Sequence, residues 1–226
     1  MAGQLHQALS ETSPPQCGES EPGPSSGATR YDKQQIGDVG TLVLPQPKTC
    51  DTLKIYFPGH AQELGLTSAV PPHQRPKWAE ILLTGQNYHL GPTITQAGCP
   101  VLILGESKMP ISAAQAEQLL RQTGASKVEL LSHSGGFIGL EQTLKTWKGS
   151  PILERVSGLK LLDNFYNTSR VPQTLVSVFG SSRLQSICSG FYTDHNASRV
   201  AQSYRKICPN LRRGTSHKAD VKQFFQ

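Results

Sequence analysis

The sequence predicts an α/β fold with a mostly parallel central sheet flanked by helices. Short apolar runs of strand length alternate along the chain with stretches whose apolar residues recur every three or four positions. Strands with continuous apolar runs are typical of parallel sheets that are buried on both faces. Their alternation with helices favours a sheet covered by helices on each side. The 226 residues are enough for one such domain.

Residues 1–30 differ in composition from the rest of the chain. They are rich in Ser, Pro, Gly and Gln and precede the first aromatic residue, Tyr31. Such a segment cannot bury enough apolar surface to offset the entropy lost when it becomes ordered. We therefore expect a disordered tail or spacer over residues 1–30 and one domain over residues 31–226.

The predicted elements then follow in order. Strands are predicted at Asp38–Pro45 (at a sheet edge), Thr52–Phe57, Pro100–Leu104, Val128–Leu131, Gly158–Leu162, Thr174–Phe179 and, as a short edge strand, Leu211–Arg213. Helices are predicted at Arg75–Leu83, Ser112–Gly124, Phe137–Leu144, Asp194–Ile207 and Ala219–Phe225. The clearest helix is Ser112–Gly124, because Ser112 can cap its start and Gly124 can end it.

The stretch Lys127–Leu144, KVELLSHSGGFIGLEQTL, joins a buried strand to a helix through a tight turn of small residues. A strand, a sharp turn with a central serine and a helix form the context of a nucleophile elbow, whose pattern is G-x-S-x-G. Here the turn reads Ser-His-Ser-Gly-Gly, with Ser132 in place of the first glycine and Ser134 at the centre. The alternative is a glycine-rich loop that only packs a strand against a helix.

Charge and composition exclude several classes of function. The net charge of +6 includes a C-terminal group of basic residues without interleaved aromatic residues, which favours a solvated face over a nucleic-acid site. No run approaches the roughly 18 apolar residues of a membrane span. No CxxC, HxxxH or HExxH spacing predicts a metal site, and no GxGxxG or P-loop predicts a nucleotide, so no cofactor is expected.

Polar residues stand at the ends of the predicted strands, where functional groups gather in such sheets. Ser134, Asp163 and His217 follow the chain order of an α/β-hydrolase triad. Over about residues 50–226 the chain resembles a minimal α/β-hydrolase without a large lid. Its HSGGF and LLDNFY segments are similar to those of uncharacterised bacterial hydrolase-like proteins with SGGF and LLDxxY motifs.

The resemblance implies roles for three side chains. Ser134 would attack a carbonyl carbon, His217 would accept its proton, and Asp163 would orient the imidazole. Each residue also has a structural alternative. Ser134 could be a small residue of the turn, Asp163 could cap the next segment, and His217 could be a surface residue at a helix start.

The resemblance also implies an oxyanion site. Its donors would be the backbone N–H of Gly135 and one from the loop after the second strand, at Ala61 or His60. His60 is equally compatible with lining the pocket or making a turn. His133 is expected to pack or line the site, and Tyr166 to line it or to bond to backbone.

The acid has two candidates. In this fold it usually follows the strand that the sequence places at Thr174–Phe179, but the turn after Gly180 contains no carboxylate. Asp194 comes later, where a helix cap would explain it. Asp163 directly follows the strand Gly158–Leu162 and is therefore preferred.

The resulting prediction is a serine hydrolase that cleaves an ester, amide or peptide bond in a small-molecule or polymeric polar substrate. The alternative is a catalytically inactive α/β-hydrolase scaffold that acts as a binding module. Neither a nucleic-acid partner nor a membrane span is expected.

The cysteines offer two disulfides. In an α/β-hydrolase sheet, the strands that follow Cys50 and Cys99 are parallel neighbours, at a spacing of about 4.8 Å that suits a disulfide. Cys188 and Cys208 flank the predicted helix before the last strand and form the second candidate pair. Two bridges favour a periplasmic or secreted protein. The alternative is reduced cysteines in the cytoplasm.

Overall fold

A computed structural model of the chain describes residues 30–66, 69–164, 170–193, 200–216 and 218–225. The strands within these residues are β1 (Tyr31–Ile36), β2 (Gly40–Pro45), β3 (Thr52–Phe57), β4 (Val101–Leu104), β5 (Lys127–His133), β6 (Val156–Leu162), β7 (Cys188–Tyr192) and β8 (Asn210–Arg213). They form one sheet in the order β1-β2-β4-β3-β5-β6-β7-β8. β2 pairs antiparallel with β1 and β4, and the pairs from β4 through β8 are parallel. The predicted fold class is confirmed, and the architecture is consistent with a minimal α/β-hydrolase fold.

The sheet is covered on both faces. The helices of the described residues are α1 (Arg75–Thr84), α2 (Leu90–Ala97), α3 (Ala113–Thr123), α4 (Phe137–Trp147), α5 (Arg170–Phe179), α6 (Ser181–Ile187) and α7 (Val200–Ile207). Residues of α3 to α7 pack in one core cluster with one face of the sheet. Residues of α1, α2 and the short C-terminal 3-10 segment Ala219–Phe224 pack in a second cluster with the other face.

Strand β3 shows why the sequence of a central strand reads as a continuous apolar run. Leu53, Ile55 and Phe57 belong to the first cluster, whereas Tyr56 belongs to the second. All four are fully buried. Because side chains of a strand alternate between faces, a strand covered on both faces needs apolar residues at nearly every position.

The helix predicted with the clearest boundaries is confirmed as α3. The Ser112 hydroxyl accepts a hydrogen bond from the backbone N–H of Gln115 at 3.2 Å. The Gln115 side chain accepts one in return from the N–H of Ser112 at 2.9 Å. Gly124 ends the helix with a φ of +61°, which glycine adopts without steric cost.

The strand predicted at Thr174–Phe179 is wrong, because this segment lies in helix α5. Its Leu175 and Phe179, four residues apart, are buried in the first core cluster. Tertiary packing of this helical face therefore outweighs the β propensity of its Val and Thr residues. The strand β7, Cys188–Tyr192, which follows α5 and α6, was not predicted.

The predicted edge of the sheet is also misplaced. Asp38–Pro45 was expected at the edge, but β2 lies between β1 and β4, and β1 forms the edge. The polar sequence YDKQQI of β1 hid this strand, since only its end residues, Tyr31 and Ile36, are partly buried and the four between them are exposed. Helix α2 was missed as well, and the helix predicted at Ala219–Phe225 is a 3-10 segment.

Both predicted disulfides are confirmed. Cys50 and Cys99 are bonded, with Cα atoms 4.7 Å apart, and they precede the parallel neighbours β3 and β4. Cys188 and Cys208 are bonded, with Cα atoms 5.0 Å apart, and join the start of β7 to the end of α7. In the part of the chain that the structure describes, no helix is both long and apolar enough to cross a membrane.

Candidate active site

Ser134 lies at the junction of β5 and α4. A single 3-10 turn, Ser134–Gly136, separates the strand from the helix. The φ of Ser134 is +49°, in the left-handed region that non-glycine residues rarely adopt. A conformation of this kind costs about 1–3 kcal/mol and persists only where the surrounding structure enforces it. The turn therefore has the strained geometry expected of a nucleophile elbow.

The small residues of the turn allow close packing against β3 and the loop that follows it. A Cβ added at Gly136 would lie 2.2 Å from the carbonyl oxygen of Phe57. A Cβ added at Gly135 would lie 2.9 Å from the imidazole ring of His60. The contact with backbone leaves no room for a side chain at Gly136, whereas a side chain at Gly135 would have to displace the His60 ring.

Ser132, which replaces the first glycine of the usual pattern, is fully buried. Its hydroxyl accepts a hydrogen bond at 2.7 Å from the side-chain amide of Asn164, which follows β6. The same amide donates to the backbone carbonyl of Ser134 at 3.1 Å. The departure from the glycine pattern thus supplies a polar contact between the elbow and the neighbouring strand.

Asp163 follows β6 directly, as predicted, and is also in a left-handed conformation, with a φ of +49°. Its carboxylate is fully buried. One oxygen accepts from the backbone N–H of Thr193 at 2.7 Å, and the other accepts from the Thr193 hydroxyl at 2.6 Å. Asp163 is therefore fixed at the ends of β6 and β7, beside the strand that carries the elbow.

The misplaced strand changes the argument about the acid. The strand before the usual acid position is β7, and the two residues after it are Thr193 and Asp194. Asp194 is therefore close to the end of this strand in sequence. The sequence prediction had instead placed it far from the end of the strand. Asp194 itself lies outside the described residues.

His217 and Tyr166 also lie outside the described residues, but both neighbours of His217 are described. The loop before it, after β8, is held by Asp220, whose carboxylate accepts from the backbone N–H groups of Thr215 and Ser216 at 2.7 and 2.9 Å. The N–H of Gly214 donates to the carbonyl of Tyr192, at the end of β7. This loop therefore starts at the carboxyl ends of the parallel strands, where Asp163 also lies.

A buried charge cluster holds the segment that follows this loop. Glu129 on β5 lies 3.2 Å from the amino groups of both Lys54 and Lys160. Lys54 donates to the carbonyl of Phe225 at 3.1 Å, and Lys160 donates to the carbonyl of Phe224 at 2.9 Å. Desolvation by burial lowers the pKa of Lys54. This cluster was not predicted from the sequence, although Lys54 and Glu129 stand out as charged residues inside apolar strands.

The loop after β3, which is expected to supply one oxyanion donor, lies close to the elbow. The ring of His60 stands over Gly135, and its Nδ1 is 3.4 Å from the hydroxyl of Ser107. Ala61, the next residue of this loop, is buried. Gly59 also approaches the serine, since a Cβ added there would lie 3.2 Å from the Cβ of Ser134.

His133 is buried beside the elbow and packs among aromatic residues. Its Nδ1 is 3.3 Å from the hydroxyl of Tyr56, and its ring meets the ring of Tyr88 edge to face. The amino group of Lys218, the residue after His217, lies 5.7 Å from the centre of the Tyr88 ring. These contacts agree with the packing alternative for His133.

Two further features bear on the chemistry of the site. Glu106 lies in the loop after β4. Its carboxylate accepts a hydrogen bond from the backbone N–H of Val70 and lies 3.7 Å from the guanidinium of Arg75, and these contacts anchor the loop. Among the described residues, no group of three His, Cys, Asp or Glu side chains could hold a metal ion.

No family model and no curated protein matches the sequence. Among solved structures, an esterase of Pyrococcus furiosus aligns with a TM-score of 0.42 and 13% identity, over 86% of this chain and 87% of that chain. An α/β-hydrolase fold protein from Chitinophaga pinensis aligns with a TM-score of 0.41 and 9% identity, over 86% of this chain and 94% of that chain. Epoxide hydrolase A from Mycobacterium thermoresistibile aligns with a TM-score of 0.31 and 15% identity, over 67% of this chain and 45% of that chain. At these low TM-scores, the assignment of the fold rests on the order and direction of its own strands.

Proposed function

We propose that this protein is a serine hydrolase that cleaves an ester, amide or peptide bond with Ser134 as the nucleophile. The observation that carries the proposal is the left-handed backbone of Ser134 between β5 and α4. A strained serine at the carboxyl end of a central parallel strand is what an α/β-hydrolase nucleophile requires.

The chemistry follows from the groups around the turn. The Ser134 oxygen attacks the carbonyl carbon of the substrate, and its proton passes to the imidazole of His217. The backbone N–H of Gly135 and one from Ala61 or His60 stabilise the oxyanion of the tetrahedral intermediate. The imidazolium then protonates the leaving group, which departs as an alcohol or amine. Water, deprotonated by the imidazole, hydrolyses the acyl-enzyme and restores Ser134.

We assign the orienting acid to Asp163. Both oxygens of its carboxylate accept from Thr193 at the ends of β6 and β7, next to the strand that carries Ser134. A buried carboxylate on a left-handed backbone is the kind of strained, enforced arrangement that clusters at functional sites. In this role it keeps the imidazole in one tautomer and stabilises its charged form.

The substrate is proposed to be a small-molecule or polymeric polar compound. Only residues 163–169 separate β6 from α5. A segment of this length has no room for a helical lid domain, so an open cleft is expected. An open cleft suits a soluble or extended polar substrate better than a bulk lipid.

Two disulfides support the proposal of a periplasmic or secreted protein.

A fluorophosphonate probe tests the proposal, because an activated serine displaces its fluoride and becomes phosphonylated. We expect labelling of the wild-type protein at Ser134 and none of the Ser134→Ala variant. The Ser126→Ala variant is the control, since Ser126 lies in the loop before β5, at the opposite end of the strand. A folded wild-type protein that resists the probe would favour the inactive scaffold. A screen of p-nitrophenyl esters, amides and peptides would then identify the bond that is cleaved.

A further inference from the structure

Asn164 connects the end of β6 to the elbow. Its side chain is 1% exposed, and its amide nitrogen donates to the Ser132 hydroxyl and to the Ser134 carbonyl. We propose that Asn164 is a positioning residue that orients the peptide group between Ser134 and Gly135, and with it the oxyanion donor. This inference rests on the function proposed above.

The geometry of the peptide bond links the position of the Ser134 carbonyl to the direction of the Gly135 N–H. The carbonyl of Ser134 and the N–H of Gly135 belong to the same planar trans peptide group and point in opposite directions. A donor that fixes the carbonyl oxygen therefore fixes the direction of the N–H as well. Hydrogen bonding to the carbonyl also polarises the peptide group, which makes its N–H a stronger donor.

The orientation of the Asn164 amide is determined by its partner. A backbone carbonyl oxygen can only accept, so the NH₂ group must face Ser134, while the Ser132 hydroxyl can accept from the same group. The Ser134 carbonyl also accepts from the N–H of Phe137, at the start of α4. The peptide group is therefore held by its own helix on one side and by the end of β6 on the other.

The oxygen end of the Asn164 amide differs from the nitrogen end that faces the elbow. Its Oδ1 is buried and has no hydrogen-bond partner among the residues that the structure describes. A buried acceptor without a partner disfavours the folded state. The two hydrogen bonds that Asn164 donates at the elbow offset this cost.

Labelling kinetics of two variants test the inference. Asn164→Ala removes both bonds, and we expect its rate of fluorophosphonate labelling, per folded molecule, to fall about a hundredfold, as for the loss of an oxyanion donor. Thr143→Val is the matched control, because the Thr143 hydroxyl, on helix α4 and away from the elbow, accepts a buried hydrogen bond from the N–H of Ile111. We expect it to lower Tm but to be labelled at the wild-type rate.

The Asn164→Asp variant keeps the size of the side chain and adds a pH signature. A protonated carboxyl group can donate to the Ser134 carbonyl, whereas an ionised one cannot. Burial beside Asp163 raises the pKa of the introduced carboxyl group. We therefore expect the ratio of its labelling rate to that of wild type to rise as pH falls. A merely structural role would leave this ratio independent of pH.

Two results would overturn the inference. One is an Asn164→Ala variant that is labelled as fast as Thr143→Val, and the other is a flat pH ratio for Asn164→Asp. If wild type itself is not labelled, the hydrolase function fails, and a crystal structure of Asn164→Ala then decides the positioning separately. A rotated peptide group between Ser134 and Gly135 would support the inference, and an unchanged one would overturn it.

Discussion

Replacing Asp163 with asparagine tests which carboxylate orients His217. The substitution keeps the shape of the side chain and its bond to the Thr193 N–H, but removes the negative charge. We expect kcat/KM on an activated ester to fall by roughly 10⁴-fold, because the imidazole loses its oriented tautomer. The free energy of unfolding should fall by about 1.5–3 kcal/mol, the usual contribution of a hydrogen bond to a charged group. Steady-state kinetics and urea unfolding measure the two effects.

Asp194→Asn is the matched variant, since Asp194 directly follows Thr193 in sequence. If Asp194 only caps a helix, the change should cost only a fraction of a kcal/mol of stability and leave turnover unchanged, because asparagine caps a helix about as well as aspartate. Thr193→Val adds a second control, because it removes the bond from the Thr193 hydroxyl to the Asp163 carboxylate and keeps the charge. An inactive Asp194→Asn beside a nearly wild-type Asp163→Asn would refute the assignment.

Three further predictions concern the rest of the chain. Deleting residues 1–29 should leave Tm and probe labelling unchanged, because none of the proposed site lies there; loss of either would refute the domain boundary. Replacing Cys50 and Cys99 together with serine should lower the free energy of unfolding by about 4 kcal/mol, for a sequence separation of 49 residues. Unchanged urea unfolding would show that the bridge is absent. Desolvation lowers the pKa of Lys54 below its usual 10.5. Between the folded and unfolded pKa values the unfolded chain therefore binds more protons, so the stability of wild type should rise relative to Lys54→Met as pH increases toward 10.5. Urea unfolding at several alkaline pH values checks this, and parallel curves would contradict it.

The local pattern of the sequence was enough to predict the central strands and the clearest helix. Strands β3, β4 and β5 are buried on both faces, so each reads as an apolar run whatever its neighbours are. Helix α3 has its own start and stop signals in Ser112 and Gly124. The Cys50–Cys99 bridge followed because β3 and β4 were expected to be parallel neighbours.

The same pattern was ambiguous where a segment is only partly buried. The segment of α5 is rich in β-branched residues, yet Leu175 and Phe179 are buried on one face of a helix against the other helices. Strand β1 is an edge strand with a polar sequence, so no apolar run marks it. In both places, long-range packing outweighs the local preference.

For the proposed site, the sequence alone was enough to make Ser134 the candidate nucleophile, because the strand, the turn of small residues and the helix are contiguous in the chain. Only the tertiary structure brought Thr193 to the carboxylate of Asp163 and the amide of Asn164 to the elbow. These partners are separated by about 30 residues and come from different strands. Their contacts depend on the order of β5, β6 and β7 in the sheet, and strand order is set by packing over the whole core, which no local pattern records.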